Sequence, residues 1–187
     1  MTVTDPDRLI LIRHAMPEID PQTPAGLWQL GHEGRTAARA LRPLLAQPAY
    51  YVASTEPKAI ETLQEISGDS RIPTDPGFAE VRRPHRWSDE HDYRAVARAY
   101  VQGARHDGWE SHEEVTDRFD AAVARHAALA AACNRTLIIG THGLAPTIWL
   151  ASRYSLRPGP AQFWAALQFP DIIDVDRTTG TVSRRPR

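Results

Sequence analysis

Two aliphatic runs in this chain, Leu9-Ile10-Leu11-Ile12 and Leu137-Ile138-Ile139, end in the same way. The first runs directly into Arg13-His14-Ala15, and the second passes through Gly140-Thr141 into His142-Gly143. Short branched segments without polar alternation read as strands buried on both faces, the kind found inside a parallel sheet covered by helices. In such sheets ligands sit in the crevice beyond the carboxyl ends of the strands. If the two strands are neighbours, their imidazoles converge at one sheet edge, and the small residues beside them let a ligand approach closely.

The intervening sequence alternates as such a sheet requires. Residues 17–24 carry three prolines and form a loop. Residues 36–45 follow a helical spacing that places Ala37, Leu41, Leu44 and Leu45 on one face. Tyr50-Tyr51-Val52-Ala53 reads as the next strand. Ser54-Thr55-Glu56-Pro57 then starts a helix with a hydroxyl cap and an acid and a proline in the first turn, and this helix ends at Gly68. Arg71-Ile72-Pro73 reads as a brief strand, and residues 89–102 as a helix with Tyr93, Val96, Ala97 and Tyr100 on one stripe. Ser111-His112-Glu113-Glu114 has the capping-box pattern and opens a long helix to about Ala132. An apolar helix follows over 144–152, and Phe163, Trp164 and Leu167 suggest a further short one. Ile172 to Val175 and Thr181-Val182 flank Thr179-Gly180 as an edge hairpin, and the arginine-rich tail 184–187 reads as frayed. Together these features predict a three-layer α/β/α sandwich with a mostly parallel sheet, helices on both faces, and a single domain over residues 1–187.

Composition narrows the partners. A formal net charge of -1 gives no overall field that favours nucleic acid or an anionic membrane, so an anion must be held locally. Cys133 is the only cysteine, which excludes an internal disulfide and a multi-cysteine metal site. The amino-terminal residues lack the pattern of a secretory signal and no apolar run is long enough to span a bilayer, so the expected compartment is the cytoplasm. Among 22 lysines and arginines there is a single lysine, Lys58, in the first turn of the second helix.

His14, His142, Arg13 and Lys58 can surround one tetrahedral dianion. Phosphoryl transfer needs such a set, because its catalysis is mainly positioning and stabilisation of charge on oxygen. Neutral imidazole is also a nucleophile toward phosphorus, and a covalent intermediate splits one hard displacement into two easier ones. Glu80, between an apolar pair and the basic segment, is the candidate proton donor and later base. The expected chemistry uses no metal and no cofactor.

At this point the chain resembles the histidine phosphatase, or phosphoglycerate mutase-like, superfamily. Arg13-His14 matches the defining pair at the end of the first strand, with Ala15 where glycine is usual. Leu30 and Gly34 resemble the opening of the first helix, and Ser54 to Thr62 the second signature. Gly108-Trp109-Glu110-Ser111 resembles the third signature and Thr141-His142-Gly143 the last. The resemblance implies that His14 is the phosphorylated nucleophile, His142 and Arg13 phosphate ligands, and Glu80 the proton donor. It implies a further donor in the Gly143 amide, at a helix start. Lys58 stands where the family ordinarily has arginine, and is read as a retained phosphate ligand without the bidentate fork. Asp20 matches a position that often carries asparagine near the phosphate in mutase-like members, and a carboxylate there weighs against a mutase.

The resemblance implies metal-independent hydrolysis of a small phosphorylated metabolite. The alternatives are a phosphoryl mutase and a non-catalytic phosphometabolite-binding protein. Arg82, Arg83, Arg86 and Trp87 are candidates for holding a second anionic group or a ring, with Trp28 and Trp109 near the same mouth. Oligomeric state is not legible.

Overall fold

Both aliphatic runs form strands, and the strands lie against each other. The protein is described here from a computed structural model covering residues 7–45, 48–84 and 90–186. Strand β1 (Arg8–Arg13) pairs in parallel with β3 (Thr136–Thr141), with Leu9 opposite Leu137 and Arg13 opposite Thr141. Strand β2 (Ala49–Ala53) pairs in parallel with the other side of β3. Strand β4 (Asp171–Asp176) runs antiparallel to β1, and β5 (Thr181–Arg184) antiparallel to β4. The five-stranded sheet has the order β2-β3-β1-β4-β5. It is therefore mixed, a parallel half closed at one edge by a hairpin.

Alternate residues of β1 enter opposite layers. Leu9 and Leu11 join the larger core, packed by α3 (Glu90–Val101), α4 (His112–Ala132), α5 (Leu144–Arg153) and α6 (Pro160–Ala166). Ile10 and Ile12 join the smaller one under α1 (His32–Arg39) and α2 (Pro57–Ser67). These four side chains are at most 1% exposed, and burial of each stabilises the fold by about 1.5–3 kcal/mol. With helices on both faces, the expected α/β/α layering is present.

Local signals explain most boundaries. Gly68 ends α2 in the left-handed conformation at φ 78°, where a side chain would strain the backbone. At α4 both halves of the capping box form, Ser111 accepting from the Glu114 amide and Glu114 from the Ser111 amide.

Several expectations are corrected. The first helix ends at Arg39 and a separate 3-10 turn spans Arg42–Leu45, because Pro43 supplies no amide donor. Leu44 consequently points outward, 44% exposed, and Val96 also lies on the outer face of α3. The segment at Arg71-Ile72-Pro73 forms no strand, its neighbour Thr74 making only an isolated parallel bridge to Ala53. The tail is pinned through Arg185: Arg184 donates to the buried Asp171, and the Arg185 fork engages both oxygens of Asp174. Trp87 and Arg86 lie outside the described residues.

Candidate active site

The parallel register that places Arg13 opposite Thr141 brings the next residue of each strand to the same edge. The His14 amide donates to the Thr141 carbonyl at 2.9 Å, and the two imidazole centroids are 5.3 Å apart. His14 Nδ1 lies 2.8 Å from the Ala15 carbonyl oxygen, an acceptor only, so Nδ1 carries the proton and Nε2 the lone pair. The Ala15 amide donates to Thr62 on α2, whose hydroxyl donates in turn to the Lys58 carbonyl. The end of β1 is thus fastened to the first turns of α2.

Arg13 and Lys58 both lie near the His14 ring. Arg13 Nη1 donates to the Leu167 carbonyl at 2.8 Å, and the guanidinium stacks 3.5 Å from the centroid of Phe169, which also packs on His14. Burial pushes the Arg13 pKa down to about 10, so it remains cationic at neutral pH. Lys58 is only 5% exposed, and its ammonium donates to the Ala25 carbonyl at 2.6 Å and to Glu56 Oε2 at 2.5 Å. Among the described residues, the buried Arg13 Nε and His142 Nδ1 have no hydrogen-bond partner.

Glu80 sits at the start of α5. Its carboxylate accepts from the amides of Gly143 and Leu144, each at 3.1 Å, and of Ala145 at 2.8 Å. Burial raises its pKa, but His142 in its low-pH protonated form, the Arg83 guanidinium and these amide donors outweigh that and bring it down to about 2. The segment carrying Glu80 is clamped from α4. Arg118 donates to the carbonyls of Gly77, Ala79 and Glu80 and pairs with both oxygens of Glu110.

Burial also lowers the pKa of both histidines. For His14 the Lys58 ammonium, and His142 whenever it is itself protonated, add to it, and for His142 Glu80 opposes while Lys58 adds. Both imidazoles are neutral at pH 7. His142 Nε2 is 2.7 Å from Ser54 Oγ and 3.3 Å from Glu56 Oε1.

Of the remaining sequence candidates, Arg83 is drawn inward, its guanidinium 5.2 Å from the Tyr93 ring and 5.5 Å from the Trp109 ring. Arg82 is directed to Glu110, at 3.0 Å, with its own side chain 67% exposed. The Asp20 carboxylate is taken up by its own loop, accepting from the Gln22 amide and the Thr23 hydroxyl. Arg86 lies outside the described residues. Ser54, Glu56, Arg118 and Phe169 were not singled out as site residues from sequence. Glu56 and Ser54 read there as helix-start residues. Among the described residues no group of three His, Cys, Asp or Glu is placed to hold a metal ion.

A family model described as "Histidine phosphatase superfamily (branch 1)" matches residues 9–171. The chain belongs to the histidine phosphatase superfamily. No curated protein sequence matches it, but solved structures do. Mycobacterial glucosyl-3-phosphoglycerate phosphatase in complex with inorganic phosphate superposes with a TM-score of 0.72 at 19% identity, covering 96% of each chain. A structure described as mycobacterial hydrolase 1 also reaches 0.72, at 18% identity, covering 96% of this chain and 97% of that one. Bacillus stearothermophilus YhfR gives 0.66 at 21% identity, covering 95% and 94%. These likenesses establish a shared fold of the phosphoglycerate mutase-like kind. Among the described residues of this histidine phosphatase superfamily member, no helix is long and apolar enough to cross a membrane.

Proposed function

We propose that the protein hydrolyses small phosphomonoesters through a phosphohistidine on His14. The observation that carries this reading is the tautomer imposed by Ala15, which leaves the unprotonated Nε2 of His14 in a pocket with His142, Arg13 and Lys58. The lone pair of Nε2 attacks phosphorus, the bond to the leaving oxygen breaks, and the transferred group stays on nitrogen. Water then attacks the phosphohistidine and gives its proton to the Glu80 carboxylate left by the first step, the P–N bond breaks, and inorganic phosphate leaves. Arg13 and Lys58 offset charge on the equatorial oxygens, and the partnerless Arg13 Nε is a donor available to them.

Glu80 enters this scheme as the acid that protonates the leaving oxygen. As it lies, held ionised by three amides, it has no proton to give. An entering phosphate competes for the same helix start, since an anion there is stabilised by the amides and the dipole. Once displaced, Glu80 loses the donors that hold its pKa down and takes up a proton from the monoanionic form of the entering phosphomonoester. Substrate binding thus arms the acid. Arg83, between Tyr93 and Trp109, is placed to meet a second anionic group or a ring on the substrate.

The test is hydrolysis of an aryl phosphate with and without chelator, combined with alkaline trapping of the phosphoprotein. Turnover that ignores the chelator and disappears with label incorporation in His14→Ala is the expected result. Absence of turnover and of label across several phosphomonoesters would favour a phosphometabolite-binding protein.

A further inference from the structure

Glu56 has no part in the scheme above, yet it touches three of its components. Its Oε2 is 2.5 Å from Lys58 Nζ. Its Oε1 accepts from the Glu80 amide at 2.9 Å and lies 3.3 Å from His142 Nε2. The 3-10 turn Ala25–Leu27 lies over it, so that a Cβ on Gly26 would stand 3.9 Å from Oε2.

The position of Lys58 explains why such a carboxylate is needed. A compact ammonium that is 5% exposed is costly to bury unless it is paired and hydrogen-bonded. Of its three donors, the Ala25 carbonyl and Glu56 take two, leaving one for an incoming oxygen. Any phosphate that reaches Lys58 and His142 must displace the Glu56 carboxylate or bind beside it. Either way the site opposes the anion with a like charge.

We propose that Glu56 is a built-in counter-anion of the phosphate pocket. It neutralises Lys58 when no phosphate is bound and weakens the hold on inorganic phosphate, which favours product release. This inference rests on the phosphatase reading and assigns to that site a residue tuning its affinity. Because substrate and product phosphates meet the same carboxylate, it acts on the bound ground states, not on the chemical step.

The experiment is calorimetric titration of inorganic phosphate and of vanadate into wild type, Glu56→Gln and Glu56→Met, with KM and kcat for an aryl phosphate measured on each. Removing the charge should tighten phosphate binding about tenfold and lower KM to a similar degree without raising kcat. Glu56→Met provides the same readout if the glutamine variant does not fold. Wild type should bind phosphate with a Kd on the order of 1 mM, and a micromolar value in wild type would overturn the inference even without a variant. Equal or weaker phosphate binding in the neutral variants, with wild type binding normally, overturns the counter-anion role and leaves the phosphatase reading intact. Failure of every protein to bind either anion overturns both.

Discussion

His14 Nδ1 and the carbonyl oxygen of Ala15 stand 2.8 Å apart, and that one contact decides which ring nitrogen can react. Burial, reinforced by His142 and Lys58, keeps the ring unprotonated below its ordinary value of 6.5. The acid limb of kcat/KM, corrected for ionisation of the substrate, should therefore lie below pH 6.5. A pH–rate profile with a limb at or above the ordinary histidine value would show that the ring titrates freely.

Lys58, proposed as a phosphate ligand, holds its ammonium 2.5 Å from Glu56, whose other oxygen faces His142. Lys58→Ala should lower kcat/KM by about 100-fold, whereas Lys58→Arg should hold or raise it. Steady-state kinetics on the two variants separates them. An alanine variant with unchanged activity would take Lys58 out of the phosphate pocket.

Arg118 joins α4 to the backbone on which Glu80 is mounted. Glu110 is fully buried, with a side-chain exposure of 0%, and Arg118 engages both of its oxygens. Arg118→Met leaves that carboxylate short of its main partner and should destabilise the protein by about 3–5 kcal/mol. Adding Glu110→Gln should recover part of the loss, and thermal denaturation of the single and double variants measures the coupling.

Gly34 is where α1 meets the chain just beyond His14. A Cβ there would stand 2.2 Å from the Met16 carbonyl oxygen, a backbone atom that cannot swing aside. Gly34→Ala should cost about 2–4 kcal/mol, while Gly26→Ala, which meets nothing closer than 3.9 Å, should change stability by less than about 0.5 kcal/mol. Urea unfolding midpoints compare them directly.

Acid should unfold the protein in two stages. The folded histidines resist protonation, so the unfolded chain takes up protons first as the pH drops below 6.5, and stability falls. Glu80, depressed from 4.5 to about 2, contributes fully above pH 4.5 and loses its contribution as the pH falls toward 2. That second stage amounts to at most about 3 kcal/mol, and Glu80→Gln should flatten it. A urea midpoint series at several pH values in wild type and variant checks both slopes.

What sequence made legible were features encoded locally. Aliphatic runs at β1 and β3, the capping box at Ser111 and the glycine at 68 each carry their own signal, and the two histidines inherit their positions from the strands. Residues whose significance depends on a distant partner gave no such signal. Glu56 has the pattern of any acid in a first helical turn until Lys58, His142 and the Glu80 amide are found around it. Arg118 has the spacing of a solvated charge until the loop 76–80 is seen packed against it. The tail arginines suggested disorder because their acceptors, Asp171 and Asp174, lie on a strand that only the folded sheet brings alongside. Asp20 shows the reverse: a position matched from the pattern, with its side chain occupied by the turn it opens.

The order of the sheet also bears on biosynthesis. β3 fills the slot between β1 and β2, although it is the last of the three to leave the ribosome. Until it inserts, β1 and β2 have no direct pairing with each other, and their apolar edges are open to a chaperone or to another nascent chain. His14 is synthesised well before its partner His142, and the two rings meet only once β3 has inserted. Until β3 is made the nascent polypeptide therefore lacks the paired imidazoles, and a truncated product ending before β3 never acquires them.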